Sequence, residues 1–463
     1  MVKRFGAIWQ KSNQFWLLVV LLLLVFATGG SGRADVQSLV VLRPIAIIIC
    51  GVAFWTLRRE HVASFWFLFA VAMAIIALVS VQLVPLPPAV WSQLPGRDVM
   101  VNIDDVANIN GAWRPISLVP MATLNSLYAL FVPLAVLLLG VQIDREERFA
   151  LLPVIIGLGV LSGLLGLLQS VGDQDGALYF YRITNSNSAV GLFANRNHQA
   201  LLLSSLFPML AVYAFTGIRT QEQLKFKGGA AIAISIVLIP LLLVTGSRAG
   251  LALGLIGLLT APLLYRKPVI SIPRRRKAPS PYPLFATGAF IVLLLGAATA
   301  LMSRAEAFQR LLAGDTAQDL RWQVWGPIAE MGKIYFPFGS GTGSFAATYQ
   351  LHETVSMLQI SYLNQAHNDW LDLFLTSGIF GILIAAIVII AFLKQGYRSF
   401  TRPLNASRNV SFARLGAVGI VIAAVASVGD YPLRTPIMAS LFVIWALWLC
   451  AIDKTDANNS RTI

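Results

Sequence analysis

The side chains able to move a proton or hold an anion gather in a few short stretches of this chain. His367, one of only four histidines, stands in QAHNDWLDLFLTSGIFGIL at the threshold of an apolar run. If a helix starts near Asn368, His367 meets its free N–H groups and the positive end of its dipole. That setting favours a neutral imidazole, the commonest general base near pH 7, and lets an anion bind beside it. His-Asn-Asp also suits a plain helix cap, and the residues alone leave both readings open. Arg248 in TGSRAG lies between two apolar runs, where a charge is costly and tends to mark a substrate path. Snorkelling to the membrane interface is the alternative. Arg321 in DLRWQVW adjoins Trp322 and, four residues on, Trp325, which reads as an amphipathic helix touching a membrane surface. Two arginines on one side of a membrane can clamp a pyrophosphate through paired N–H···O bonds, whereas an ordinary surface salt bridge would leave Arg321 with no such task.

FANRNHQA places Asn195, Arg196, Asn197 and His198 at the start of another apolar run. Amides and a guanidinium there suit sugar hydroxyls or phosphate, or a helix cap. Asp173-Gln-Asp175 spells a metal motif but reads as loop solvation, and no Cys/His/carboxylate cluster points to a bound metal. The GSGTG run within 336–345 lacks the strand and βαβ setting of a dinucleotide fingerprint, so it reads as a tight turn after Pro337. No cofactor is expected.

These stretches are set in a strongly apolar chain. Of 463 residues 57% are hydrophobic and 12% charged, and the apolar residues form long unbroken runs, which indicates membrane spans. The runs lie at about 15–28, 38–57, 64–83, 121–141, 149–171, 198–216, 229–247, 249–265, 284–302, 370–393, 412–429 and 437–452. They show no period-2 alternation, so the expectation is an all-α polytopic membrane protein of about 12 transmembrane helices. A basic lead-in makes the first run either an uncleaved span, which we prefer, or a signal peptide. Cys50 and Cys450 both fall inside apolar runs and read as packing residues.

Alternate loops sort the charge. One set, which includes both ends and RKPVISIPRRRKAP, holds 23 basic and 7 acidic residues; the other holds 11 and 14. The basic set is therefore expected in the cytoplasm, and this accounts for the net charge of +14 without a nucleic-acid partner. Residues 84–120, 172–197, the GSRAG turn and 303–369 then face outward. The expected organisation is spans 1–9 over 1–302, a large periplasmic loop with short helices over 303–369, and three spans with a cytoplasmic tail over 370–463.

GLFANRNHQA, VTGSRAG, DLRWQVWGPIAEM followed by PFGSGTGSF, and QAHNDWLDLFLTSGIFGIL, in that order, resemble the O-antigen ligase family of bacterial inner-membrane proteins. The segments QLVPLPPAVWSQLPGR, WRPISLVPMAT and GDYPLRTP resemble some members as well. The resemblance implies metal-independent, inverting transfer of a glycan from an undecaprenyl-pyrophosphate carrier to an acceptor hydroxyl. The acceptor would be lipid A core for a ligase and growing polysaccharide for a polymerase; the motifs are shared, and the match leans to ligase. Carried over, His367 orients or deprotonates the acceptor hydroxyl, and Arg248 and Arg321 hold the leaving pyrophosphate. Asn195, Arg196, Asn197 and Asn368 become substrate contacts. His367 is preceded by Gln-Ala and by no acidic orienter, so its tautomer and exact role stay open. A transporter is the rival class, and it requires ionisable or broken segments at the midplane; a structural subunit would need neither Arg248 nor His367.

Overall fold

The computed structural model describes residues 11–109, 111–173, 176–186, 188–266, 322–358, 362–404 and 407–451. Arg321, Asp175 and the expected span 284–302 lie outside them. The long helices are α1 (Asn13–Thr28), α2 (Leu39–Trp55), α3 (Trp66–Val81), α4 (Pro120–Ala129), α5 (Phe131–Gln142), α6 (Arg145–Val171), α7 (Arg196–Tyr213), α8 (Gln221–Val244) and α9 (Arg248–Leu264). They continue with α10 (Trp325–Tyr335), α11 (Phe345–His352), α12 (Asp369–Thr401), α13 (Arg408–Gly429) and α14 (Pro436–Leu449). Five stretches are long and apolar enough to cross a membrane by length and composition: Pro120–Gln142, α6, α8, α12 and α13. Helices α1, α2, α3, α9 and α14 are shorter and apolar. The chain is thus a mostly helical membrane protein, in which each described apolar run coincides with helix.

Helix α7 is the post of the bundle. All its residues from Asn197 to Leu210 are buried, and it packs on α6, α8, α9 and α13. A helix apolar on every side belongs in a core, and the run at 198–216, expected as a span, is wrapped by protein. Helix α9 lies very close to it: a Cβ added at Gly250 would sit 2.3 Å from the Cβ of Ala200. Small residues permit such an approach, and apolar surface alone gives helices in lipid no reason to associate. This contact sets the start of α9 beside the start of α7.

The apolar run expected as a single span at 370–393 is two helices. Within α12, Gly378 has φ 55° and ψ −144°, a backbone state open to glycine alone. Such a break frees backbone groups that hydrocarbon cannot satisfy. The glycine-rich turn satisfies them. Ser340 N donates to Leu375 O and Gly341 N to Thr376 O, both at 3.0 Å, while Ile379 N donates to Pro337 O at 2.9 Å. The tight turn read from GSGTG therefore exists, and it plugs a helix break.

The segment after α3 locks this plug. Gln82, buried at its head, accepts at Oε1 from Thr342 N and Thr342 Oγ1 (2.8 Å each) and donates from Nε2 to Thr376 O at 3.0 Å. Arg97, also buried, donates to Ile116 O at 2.6 Å and Gly339 O at 3.2 Å. Burial pushes its guanidinium down to about 10, so it stays charged at neutral pH. A two-residue antiparallel pairing, Pro85–Leu86 with Arg114–Pro115, closes the segment.

Candidate active site

The break and the buried post bring three chain ends together. Asn368 caps α12: its side-chain oxygen accepts from Trp370 N (3.0 Å) and Leu371 N (3.1 Å). Capping of this kind stabilises a helix by about 1 kcal/mol. His367, one residue earlier, takes φ 48°, a left-handed state that non-glycine residues adopt rarely and at a cost. This turn carries its ring away from α12 and onto Asp430, with Nδ1 3.3 Å from Oδ1. The cap reading of His-Asn-Asp thus holds for Asn368, while His367 points elsewhere.

Asp430, buried between α13 and α14, is the hub. Its Oδ1 faces His367 and accepts from Tyr431 N at 3.0 Å; its Oδ2 accepts from Asn195 Nδ2 (3.0 Å) and Asn197 Nδ2 (2.7 Å). An ionised carboxylate accepts and never donates, so with Asp430 ionised a neutral His367 ring carries its hydrogen on Nδ1 and its lone pair on Nε2. That is the tautomer a general base requires. His198 reaches the same Oδ1 at 3.6 Å, beyond a hydrogen bond, and the Tyr431 ring stands edge-on to both imidazoles at 5.0 and 5.3 Å.

The arginine of the GSRAG turn enters through its neighbour. Ser247 Oγ caps α9 by accepting from Gly250 N (2.9 Å) and donates to Asn197 Oδ1 at 2.7 Å. Asn197 therefore bridges Ser247 and Asp430, and Arg248, first residue of α9, is tied to the histidine site through two hydrogen bonds. Asn195 caps α7, accepting from Asn197 N at 2.9 Å, and the backbone N–H of Arg196 donates to Asn185 Oδ1 at 3.0 Å.

Two cavities meet here. A small one of about 190 Å³ is lined by His367, His198, Asn195 and Tyr431. Its floor strip is fixed by Tyr181, whose hydroxyl accepts from Gly30 N at 2.7 Å and which burial pushes up to about 12. A large one of about 780 Å³ shares Ser31, Gly32 and Arg33 with it and runs down between α2, α4, α12, α13 and α14. Arg434 lies in its wall, with Nη2 2.6 Å from Asp372 Oδ1 and Nε 3.5 Å from Asp369 Oδ1.

Asp430 escaped the sequence reading because it stands 63 positions from His367. The available signal was GDYPLRTP, where Asp430 and Arg434 interrupt two apolar runs. His198 carried the same kind of signal, as a histidine at a run's threshold. Residues 230–386, about a third of the chain, match the family described as O-Antigen ligase. No curated protein sequence matches the chain. The matched stretch contains Arg248, Arg321, the glycine-rich plug, His367 and Asn368, while Asn195, Arg196, Asn197 and Asp430 come from outside it. Set among membrane helices, and with its histidine turned onto a buried carboxylate, residues 230–386 are a domain that matches the O-antigen ligase family.

Proposed function

We propose that the chain transfers a glycan from an undecaprenyl-pyrophosphate carrier to an acceptor hydroxyl at the periplasmic face of the inner membrane, and that the acceptor is lipid A core. The observation that carries this reading is the His367–Asp430 pair, which leaves Nε2 of a buried imidazole as a proton acceptor inside a family known for glycan transfer. The acceptor O–H gives its proton to Nε2 as its oxygen bonds to the anomeric carbon. The bond from that carbon to the phosphate oxygen breaks, and the carrier leaves as the pyrophosphate. Attack from the face opposite the leaving group inverts the anomeric centre. Asp430 stabilises the imidazolium that forms, while Arg248 and Arg321 hold the charge growing on the pyrophosphate. Asn368 keeps the histidine turn in place, and Asn195 and Asn197 hold Asp430. Arg196, at the start of α7, meets the donor's polar head.

The excess of Lys and Arg in the opposite loops supports an outward-facing site and cytoplasmic termini. The large cavity supports a lipid donor, since it joins the histidine pocket to an apolar interior.

Arg248→Ala, at matched membrane level in a strain lacking the native gene, is expected to cut glycan attachment about 100-fold or more, with Arg248→Lys intermediate. The readout is surface glycan separated by size and tested for linkage to lipid A core. Long polymer left on its carrier supports the ligase; accumulated single repeat units would replace it with a polymerase. Unchanged glycan would remove Arg248 from the reaction.

A further inference from the structure

Among the described residues, every charged group lining the large cavity has an opposite charge beside it, with one exception. Arg434 sits between Asp369 and Asp372. Arg33 donates to Asp35 at 3.0 Å, and its hydrogen bonds hold that carboxyl below the usual range. Arg43, on α2 and facing the same cavity, has no carboxylate partner among the described residues. Its Nη1 donates to Asn125 Oδ1 of α4 at 2.6 Å, and its Nε is buried with no hydrogen-bond partner among them.

An arginine inside an apolar helix is costly, and a side-chain amide oxygen satisfies one of five N–H groups without neutralising the charge. Asn125 does orient the guanidinium, which leaves the remaining donors available to an anion. Arg43 and Asn125 are the fifth and sixth residues of their helices, about 6–8 Å from the ends nearest the histidine pocket at about 1.5 Å per residue. Beyond them the wall is apolar, with Ile75, Val79, Leu130, Ile389 and Phe392. The ligand that fits is therefore an amphiphile with an anionic head near one end of the cavity and a hydrocarbon chain along the rest. A head bound at Arg43 lies in the cavity that shares the Ser31–Arg33 strip with the pocket of His367.

We infer that Arg43, aimed by Asn125, binds a phosphate of the polyprenyl carrier. This rests on the proposed transfer reading for the identity of the lipid. It assigns the carrier's lipid-side phosphate to Arg43 and leaves the sugar-side phosphate to Arg248, which starts the helix tied to the histidine site.

The test is binding of a long-chain polyprenyl phosphate, the uncharged polyprenol and phosphatidylglycerol to the purified full-length protein in detergent, by native mass spectrometry. The wild type is expected to hold the polyprenyl phosphate at least about tenfold more tightly than the polyprenol. Arg43→Ala removes that preference, Asn125→Ala reduces it by a few fold, and polyprenol binding is unchanged in both. Undiminished preference in Arg43→Ala overturns the assignment. So does a wild type that does not distinguish phosphate from alcohol, which decides the matter if Arg43→Ala fails to fold. An equal, Arg43-dependent affinity for phosphatidylglycerol would make this a general phospholipid site and overturn the carrier. Glycan transfer, scored on the same preparations, separates the two readings. Binding lost in Arg43→Ala with a wild type inactive in transfer leaves the anion site standing and removes the reaction; normal transfer with unchanged binding removes the site alone.

Discussion

Asp430→Asn is expected to lower glycan transfer at least about 100-fold while the protein still folds, a loss on the scale seen when a catalytic histidine loses its tautomer. An amide has the shape of the carboxylate but one of its two atoms donates. If that atom faces Asn195 and Asn197, two donors of the protein meet a third at the hydrogen bonds now 3.0 and 2.7 Å long. If the amide flips, its N–H group faces Nδ1 of His367, and the ring must move its hydrogen to Nε2 to accept it. The base is lost in that arrangement, and the first one destabilises the buried cluster. Rate measurement beside thermal unfolding in detergent checks the prediction. A normal rate would mean that the orientation of His367 has no part in the reaction.

Gly378→Ala is expected to cost about 4 kcal/mol or more, enough to remove most folded protein from the membrane. An added Cβ there would sit 2.0 Å from Pro337 O, in a backbone state already unfavourable to any L side chain. Neither side can yield cheaply, because Pro337 O accepts the N–H of Ile379 and the turn it begins is held by Gln82 and Arg97. Gly396→Ala in the same helix is the comparison: an added Cβ meets nothing within 4 Å, so the change is expected to be neutral or slightly stabilising. Levels of folded protein in detergent, followed by size-exclusion chromatography and thermal unfolding, decide it. Equal behaviour of the two variants would mean that the plug does not support the fold.

These two residues also show where the sequence was readable and where it was not. Long apolar runs reveal helices because hydrocarbon demands that each backbone group be satisfied within its own segment, and that requirement is local. The break at Gly378 is invisible to the same reading, since what satisfies it comes from the turn at 336–345. Asp372 tells the same story: the sequence shows a lone charge near the head of an apolar run, and its partner Arg434 comes from another loop. His367 stood out by its place at the head of a run, and Asn197 by its cluster. Their common partner did not, because a buried carboxylate is defined by the groups that converge on it. Arg43 stands in the sequence as a charge beside Pro44 in a short apolar run, and the task we infer for it rests on the cavity beside it.

In the proposed reaction the imidazole of His367, held by Asp430, takes the proton of the acceptor during glycan transfer. The most direct measurement uses purified protein with a polyprenyl-pyrophosphate-linked glycan and lipid A core, following both glycan attachment and release of the carrier. His367→Asn suits the comparison, since asparagine tolerates the left-handed backbone found at this position. The account predicts attachment by the wild type with one carrier released per glycan joined, and a loss of about 100-fold or more in His367→Asn with donor binding retained. Equal turnover by wild type and His367→Asn would contradict it.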